Sequence, residues 1–384
     1  MRGKRIWRSI RWLLVSQFVA MAILGLGLAW IIEAPQTYGI IDLGTLGGAA
    51  SEAYGINNAG QVVGWSTTAD GAVHGFLYDG GVMTDLGTLD GGSFSHATGI
   101  NDQGQVVGYG GINAYGPMFR EFTQGFIWQN GGMQPLGALY CPCSFNQRYG
   151  TSAAYGINSA GQAVGDSETV RGETIRHAFL WQDGAMQDIG GGAGGWSISY
   201  AYAINLQGQV VGRFDDRAFL WQDGARQDLG TLPGHAFSAA RAINIQGRVV
   251  GESVASTGTD GSAFRWEAGV MCDLGVLPGD PYSQANGINA LGQIVGRSGT
   301  RDGVSSRAFV WQDDVMRDLN SLVPAGTGWE LRSASAINNL GQIVGSGILN
   351  GQPRAFLLSP GGSLQVPGGS LFSAPGRSRP VRLL

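Results

Sequence analysis

One nine-residue pattern, Ile-Asn-x-x-Gly-(Gln/Arg)-x-Val-Gly, occurs seven times, beginning at Ile56, Ile100, Ile157, Ile204, Ile243, Ile288 and Ile337. A short aromatic segment follows each copy, centred on Phe76, Phe126, Phe179, Phe219, Phe264, Phe309 and Phe356. A segment of the type Asp-Leu-Gly comes next, at Asp85, Pro135, Asp188, Asp228, Asp273 and Asp318, with one further copy at Asp42 before the first repeat. Successive motif asparagines are 44, 57, 47, 39, 45 and 49 residues apart. Periods near this length belong to propeller blades rather than to the shorter helical repeats.

Each period reads as four short strands. In the first, residues 53–56, 61–64, 75–78 and 82–86 are rich in β-branched and aromatic residues and bounded by glycine. No helical period of adequate length interrupts them. Glycine makes up 66 of 384 residues without recurring at every third position, which excludes collagen and suits many tight turns. Between first and second strands, Asn57-Asn58-Ala59-Gly60 places a side-chain acceptor and a residue free to take positive φ where a turn needs them. Small residues in the first strand fit a crowded axis, and Phe, Trp and Leu in the outer strands fit the widening gaps between blades.

The expected fold is therefore all-β: a seven-bladed β-propeller of four-stranded antiparallel blades, preceded by one N-terminal hydrophobic helix. Such a ring must close, because an open end exposes backbone and apolar surface. Residues 38–44 carry the fourth-strand pattern with no blade before them, so they are expected to complete the last blade. Residues 362–366 are the rival for that place. Three regions result: 1–34 as signal peptide or membrane anchor, 35–366 as propeller, and 367–384 as a C-terminal tail.

Residues 1–11 hold Arg2, Lys4, Arg5, Arg8 and Arg11, and residues 12–32 carry no charge at all. Basic-then-apolar is the layout of an export signal. Twenty-one helical residues span about 31 Å, the thickness of a bilayer's hydrocarbon core. Small residues around Ala29 also suit cleavage, so anchor and cleaved signal both stand. Either places the body outside the cytoplasmic membrane: periplasmic, extracellular, or anchored and facing outward. Without the five basic residues at the start and Arg377, Arg379 and Arg382 at the end, 16 basic residues remain against 28 acidic ones. A body this acidic is poorly suited to a nucleic-acid or anionic-membrane partner.

The third-strand tripeptides His177-Ala178-Phe179, His74-Gly75-Phe76 and Arg217-Ala218-Phe219, with their equivalents in the other copies, resemble the HAF-repeat family of exported bacterial proteins. The resemblance covers about residues 38–362. It implies an envelope or extracellular location and a repeat fold, and it implies no particular reaction. The sorting tail with Pro-Glu-Pro that many of that family carry has no counterpart here.

Loop lengths supply the functional expectation. The motif Asn and second-strand Gly are seven positions apart in every copy, and the third-strand Phe and fourth-strand Leu or Ile are ten apart in the first six. The second-to-third and fourth-to-first connections vary. In an antiparallel meander alternate connections share an edge, so one face is uniform and the other variable. Binding function belongs on variable loops held by a rigid scaffold. The longest loops carry Tyr115, Phe119, Arg120, Phe122, Phe145, Arg148 and Tyr149, joined by Trp196 and Trp329 from equivalent loops. Aromatic area with guanidinium donors suits a glycan or an envelope protein; packing of the same aromatics onto the disc is the competing reading.

The four histidines, His74, His96, His177 and His235, have no close pair, and no metal or cofactor is expected. Asp215-Asp216 reads as a solvated turn, Cys141-Pro142-Cys143 as loop thiols, and Cys272 as part of a fourth strand. A non-enzymatic binding module is the leading expectation. The alternatives are a polysaccharide hydrolase or lyase working with two convergent carboxylates, and a purely structural surface protein.

Overall fold

The computed structural model describes residues 36–113, 121–139, 150–169, 175–191 and 197–361. The body, Thr37–Leu384, is a unit separate from Met1–Gln36. The apolar stretch 12–32 and the tail 367–384 lie outside the described residues. Among the described residues no helix is long and apolar enough to cross a membrane.

The repeat folds as antiparallel four-stranded sheets. In the first, Gly47–Ile56, Val62–Thr68, Val73–Asp79 and Val82–Asp85 pair in chain order. The same order recurs in each of the next five repeats. In the last repeat, Trp329–Ile337, Ile343–Leu349 and Gln352–Pro360 supply three strands, and Tyr38–Asp42 supplies the fourth. The N-terminal strand thus pairs with the end of the chain over five register positions, from Tyr38 opposite Pro360 to Asp42 opposite Phe356.

The motif asparagine explains why the repeat is so strict. Asn205, for example, is buried, and its Oδ1 accepts from the main-chain N–H groups of Gln207 and Gln209 at 3.1 and 3.0 Å. Its Nδ2 donates to Gln209 Oε1 at 2.7 Å and to the main-chain carbonyl of Asn244, in the next repeat, at 3.1 Å. Every motif asparagine donates to its successor in this way: Asn57 to Asn101, Asn101 to Asn158, Asn158 to Asn205, Asn244 to Asn289 and Asn289 to Asn338. Asn338 donates back to Asn57, 281 residues away, at 3.0 Å. The inner edges of the sheets therefore form a closed hydrogen-bonded circle, which is the arrangement of a β-propeller.

Replacing Asn205 with Ala leaves two partly buried N–H groups and one buried carbonyl without this partner, each costing up to about 1–3 kcal/mol. Partial relaxation should bring the total to roughly 2–4 kcal/mol, read as a lower urea midpoint with unchanged slope.

Neighbouring sheets are also latched further out. A buried first-strand serine, Ser51, Ser95, Ser152, Ser199, Ser238 or Ser283, accepts from a third-strand N–H and donates to a fourth-strand carbonyl of the sheet before it. Ser51 makes these bonds with Ala355 and Gly44, so the same device spans the junction between the chain's two ends. Between sheets lie the third-strand phenylalanines, all seven at most 2% exposed.

The third-strand residue before Ala-Phe faces the fourth-strand aspartate. His74 meets Asp85 at 2.8 Å and His177 meets Asp188 at 2.7 Å. Arg217 and Arg307 meet Asp228 and Asp318 at 3.4 and 3.3 Å, and Arg354 approaches Asp42 at 3.9 Å. Where proline replaces the aspartate, at Pro135, the facing residue is the uncharged Gln124. These two histidines hold sheet edges together.

The turns sort onto two edges. In each repeat the Gln or Arg that follows the turn glycine reaches the end of the third strand, as in Gln61 to Asp79, Gln105 to Gln129, Gln209 to Gln222 and Arg248 to Glu267. First-to-second and third-to-fourth turns therefore share one edge of the sheets, and the variable connections share the other.

Candidate functional site

Every first strand carries a β-bulge just before its motif, with register shifts at Ala53/Gly55, Ala97/Gly99, Ala154/Gly156, Ala201/Ala203, Ala240/Ala242, Ala285/Gly287 and Ala334/Ala336. A bulge leaves one residue unpaired and re-aims its side chain. The unpaired positions are Tyr54, Thr98, Tyr155, Tyr202, Arg241, Asn286 and Ser335. On the facing second strand, the residue after Val-Gly is Trp65, Tyr109, Asp166, Arg213, Glu252, Arg297 or Ser346. Within a constant frame, these two positions vary most in size and charge.

Their side chains form a continuous belt through the first six repeats. Trp65 Nε1 donates to the Tyr54 hydroxyl at 3.0 Å, and the Trp65 ring lies 5.7 Å from His96. His96 stacks on Tyr109 at 5.1 Å, Tyr109 meets Tyr155 edge-on, and Tyr155 meets Tyr202 at 5.8 Å. Arg241 sits 4.6 Å over the Tyr202 ring and donates to Glu252 Oε1 at 2.6 Å. Tyr282 donates its hydroxyl to the other Glu252 oxygen, and Arg297 lies 5.4 Å over Tyr282.

Burial sets the charge states here. It pushes the Asp166 carboxyl above its ordinary value even though Arg176 is bonded to it. Burial acts the same way on Glu252, but Arg241 and the Tyr282 hydroxyl outweigh it and hold this carboxyl below the usual range. Tyr54, Tyr155 and Tyr282 are pushed far up, first by burial and then by the carboxylates beside them, so they are neutral donors. Four buried polar atoms in the belt have no hydrogen-bond partner among the described residues: His96 Nδ1, Asp166 Oδ1, Arg213 Nε and Arg241 Nε. Buried polar atoms are nearly always satisfied, so water or another molecule would complete these.

Burial among Trp65, Phe94 and Tyr109 also lowers the His96 pKa from 6.5. The folded state then binds fewer protons than the unfolded one below that value, so this contribution to stability is present above pH 6.5 and is lost as the pH falls through the folded value. A His96→Phe variant should therefore lose less in Tm than the parent between pH 7 and 5.

The belt opens beside a cleft of about 180 Å³ lined by Arg213, Asp216, Phe237, Glu252, Val254 and Arg301 among others. It lies between the fourth, fifth and sixth repeats. Asp216 and Arg301 come from second-to-third connections, which places the cleft on the variable-loop edge. Asp215 turns the chain there at φ 47°, within a two-residue connection between strands ending at Phe214 and starting at Arg217.

A family model described as a protein of unknown function, DUF3466, matches residues 93–232. No curated protein matches. Similar solved structures include the extracellular domain of the putative hybrid two-component system BT4673 from B. thetaiotaomicron (10% identity, TM-score 0.48, 83% of this chain and 39% of that one). Two others are YCF48 bound to D1 peptide (11%, 0.47, 84% and 96%) and the β-propeller domain of the trilobed protease from Pyrococcus furiosus (11%, 0.43, 69% and 82%). This chain spans only 39% to 48% of the length of the sensor domain and of two peptidases that it also matches.

Of the residues expected from sequence to bind, Tyr115, Phe119, Arg120, Arg148, Tyr149 and Trp196 lie outside the described residues, as do Phe145, Cys141 and Cys143. The segments carrying Tyr115 and Arg120 leave a second strand at Asn113 and rejoin a third at Glu121. Trp329 begins a first strand and packs edge-on against Phe356 at 6.0 Å, which makes it part of the wall between sheets. His235 meets the Ser253 hydroxyl at 3.1 Å, and Cys272 is exposed on its fourth strand. Sequence reasoning passed over the belt, although the residue after each Val-Gly was visible as a changing letter in a fixed frame.

Proposed function

We propose that this chain is an exported seven-bladed β-propeller of the HAF-repeat type that binds a glycan or an envelope protein through its variable-loop face. The observation that carries this reading is the cluster of partnerless buried polar atoms among aromatic rings at the inner strands. Rigid aromatics with oriented donors are what a recognition surface uses. Tyr115, Arg120 and Tyr149, in the longest connections by sequence, are proposed as further contributors to that face. The basic and apolar segment 1–32 supports export, as signal or as anchor. A glycan array probed with the purified body should give specific binding that falls at least tenfold when Tyr200 and Arg213 are both changed to Ala. An array without signal would leave the envelope-protein ligand, and no binding in a pull-down from envelope extract either, with normal folding and no turnover, would leave a purely structural role.

One observation favours a second reading, a polysaccharide hydrolase or lyase. Asp166 is a buried carboxyl held above its ordinary pKa, the condition of a general acid. Turnover of a polysaccharide that disappears in Asp166→Asn would establish it over simple binding.

A further inference from the structure

We propose that the cleft between the fourth, fifth and sixth repeats takes a single carboxylate-bearing sugar unit, a uronate residue within an otherwise neutral glycan. This rests on the binding-module reading and names its ligand chemistry. Neither guanidinium at the cleft is in an ion pair among the described residues, although Arg301 is near enough to Glu252 to help hold that carboxylate ionised. Arg213 lies 5.1 Å over the Tyr200 ring with its Nε buried and unbonded. Arg301 spends one nitrogen on the Gly258 carbonyl at 2.8 Å. The neighbouring Arg241, by contrast, is committed to Glu252 at 2.6 Å, and Glu252 is further engaged by Tyr282.

The local charge that remains is two guanidiniums against Asp216. Arginine forks suit a carboxylate, and charge-assisted bonds are the stronger kind. Asp216 is an acceptor placed for hydroxyl groups, while Phe237 and Val254 provide an apolar wall for a ring face. The cleft, about 180 Å³, has room for a sugar ring. The acidic body, with 27 of the chain's 28 acidic residues, repels a long polyanion, so isolated uronates are the fitting ligand.

The test is calorimetry on the purified body with short oligosaccharides carrying one glucuronate, galacturonate or mannuronate. Each is compared with its carboxyl-reduced counterpart, identical except that the acid is a primary alcohol. At least one acid should bind ten times or more tightly than its reduced partner. Arg213→Gln should weaken that binding at least tenfold and Arg301→Gln severalfold. Because Arg213 packs on Tyr200, its variant is first checked by thermal unfolding; Arg301 is exposed, and its variant decides the matter if the first is unstable. Equal binding of acid and alcohol, unchanged binding in Arg301→Gln, or no binding of any acid would overturn the proposal. If a neutral glycan still binds this face in those cases, the binding-module reading survives and only the uronate assignment falls.

Discussion

A chain that begins at Gly47, without Tyr38–Asp42, should fail to fold cooperatively. Tyr38 and Leu43 are 1% and 4% exposed, and together contribute about 3–6 kcal/mol of burial. Their loss also bares Phe356 and Leu358, both fully buried in the intact sheet, and leaves Gln352–Pro360 as an unpaired edge. The Ser51 latch to Gly44 and the Arg354 pairing with Asp42 go as well. Total stabilities of about 5–15 kcal/mol leave little after such losses. The measurement is urea unfolding followed by tryptophan fluorescence, and the expected curve is broad or absent with aggregation. A sharp transition within about 1 kcal/mol of the parent would show that the strand is dispensable.

The second large effect concerns the second-strand glycine. A Cβ built on Gly212 would stand 1.8 Å from the Tyr200 carbonyl oxygen, and the equivalent glycines meet the same first-strand carbonyl at 1.9–2.0 Å. The contact is with backbone and has no side chain to yield. Gly212→Ala should therefore cost about 3–5 kcal/mol, at the upper end of overpacking effects. Gly184 is the control: it has φ +86° in an open turn with nothing within 4 Å. Ala there meets only the backbone conformational penalty, about 1 kcal/mol. Similar losses at both sites would mean that the two strands do not approach this closely.

The strandedness, the turn chemistry and the two-edged arrangement were legible because each rests on local rules repeated seven times. Asn57-x-x-Gly60 states its turn outright, and the invariant seven-residue step to Gly64 follows from a hairpin of fixed length. The small residues at Gly55, Gly99 and Gly156 announced a tight axis, and a Cβ on each would press on the next first strand. The reason for asparagine was hidden, since its Nδ2 partner lies 39 to 57 residues onward, or 281 back in the last case. So was the facing of His177 and Asp188, which only the strand register brings together.

The candidate site was less legible for a geometric reason. Loop length pointed to the long connections, whereas one wall of the described cleft stands at a two-residue one. A short connection leaves strand residues uncovered, so the opening is made by what is missing above Arg213. Its walls come from Arg213, Glu252 and Arg301, spread over three repeats. No local pattern joins them, and only the ring does.

The closed ring is tested most directly by cross-linking its two ends. Ile40 and Leu358 are register partners at a non-hydrogen-bonded position, where Cα atoms lie about 4.5 Å apart, within disulfide reach. With Cys141, Cys143 and Cys272 changed to Ser, the pair Ile40→Cys and Leu358→Cys should oxidise almost completely within one molecule, giving a faster band on a non-reducing gel. Free thiols after oxidation, or only intermolecular dimers, would contradict the ring and everything built on its two faces.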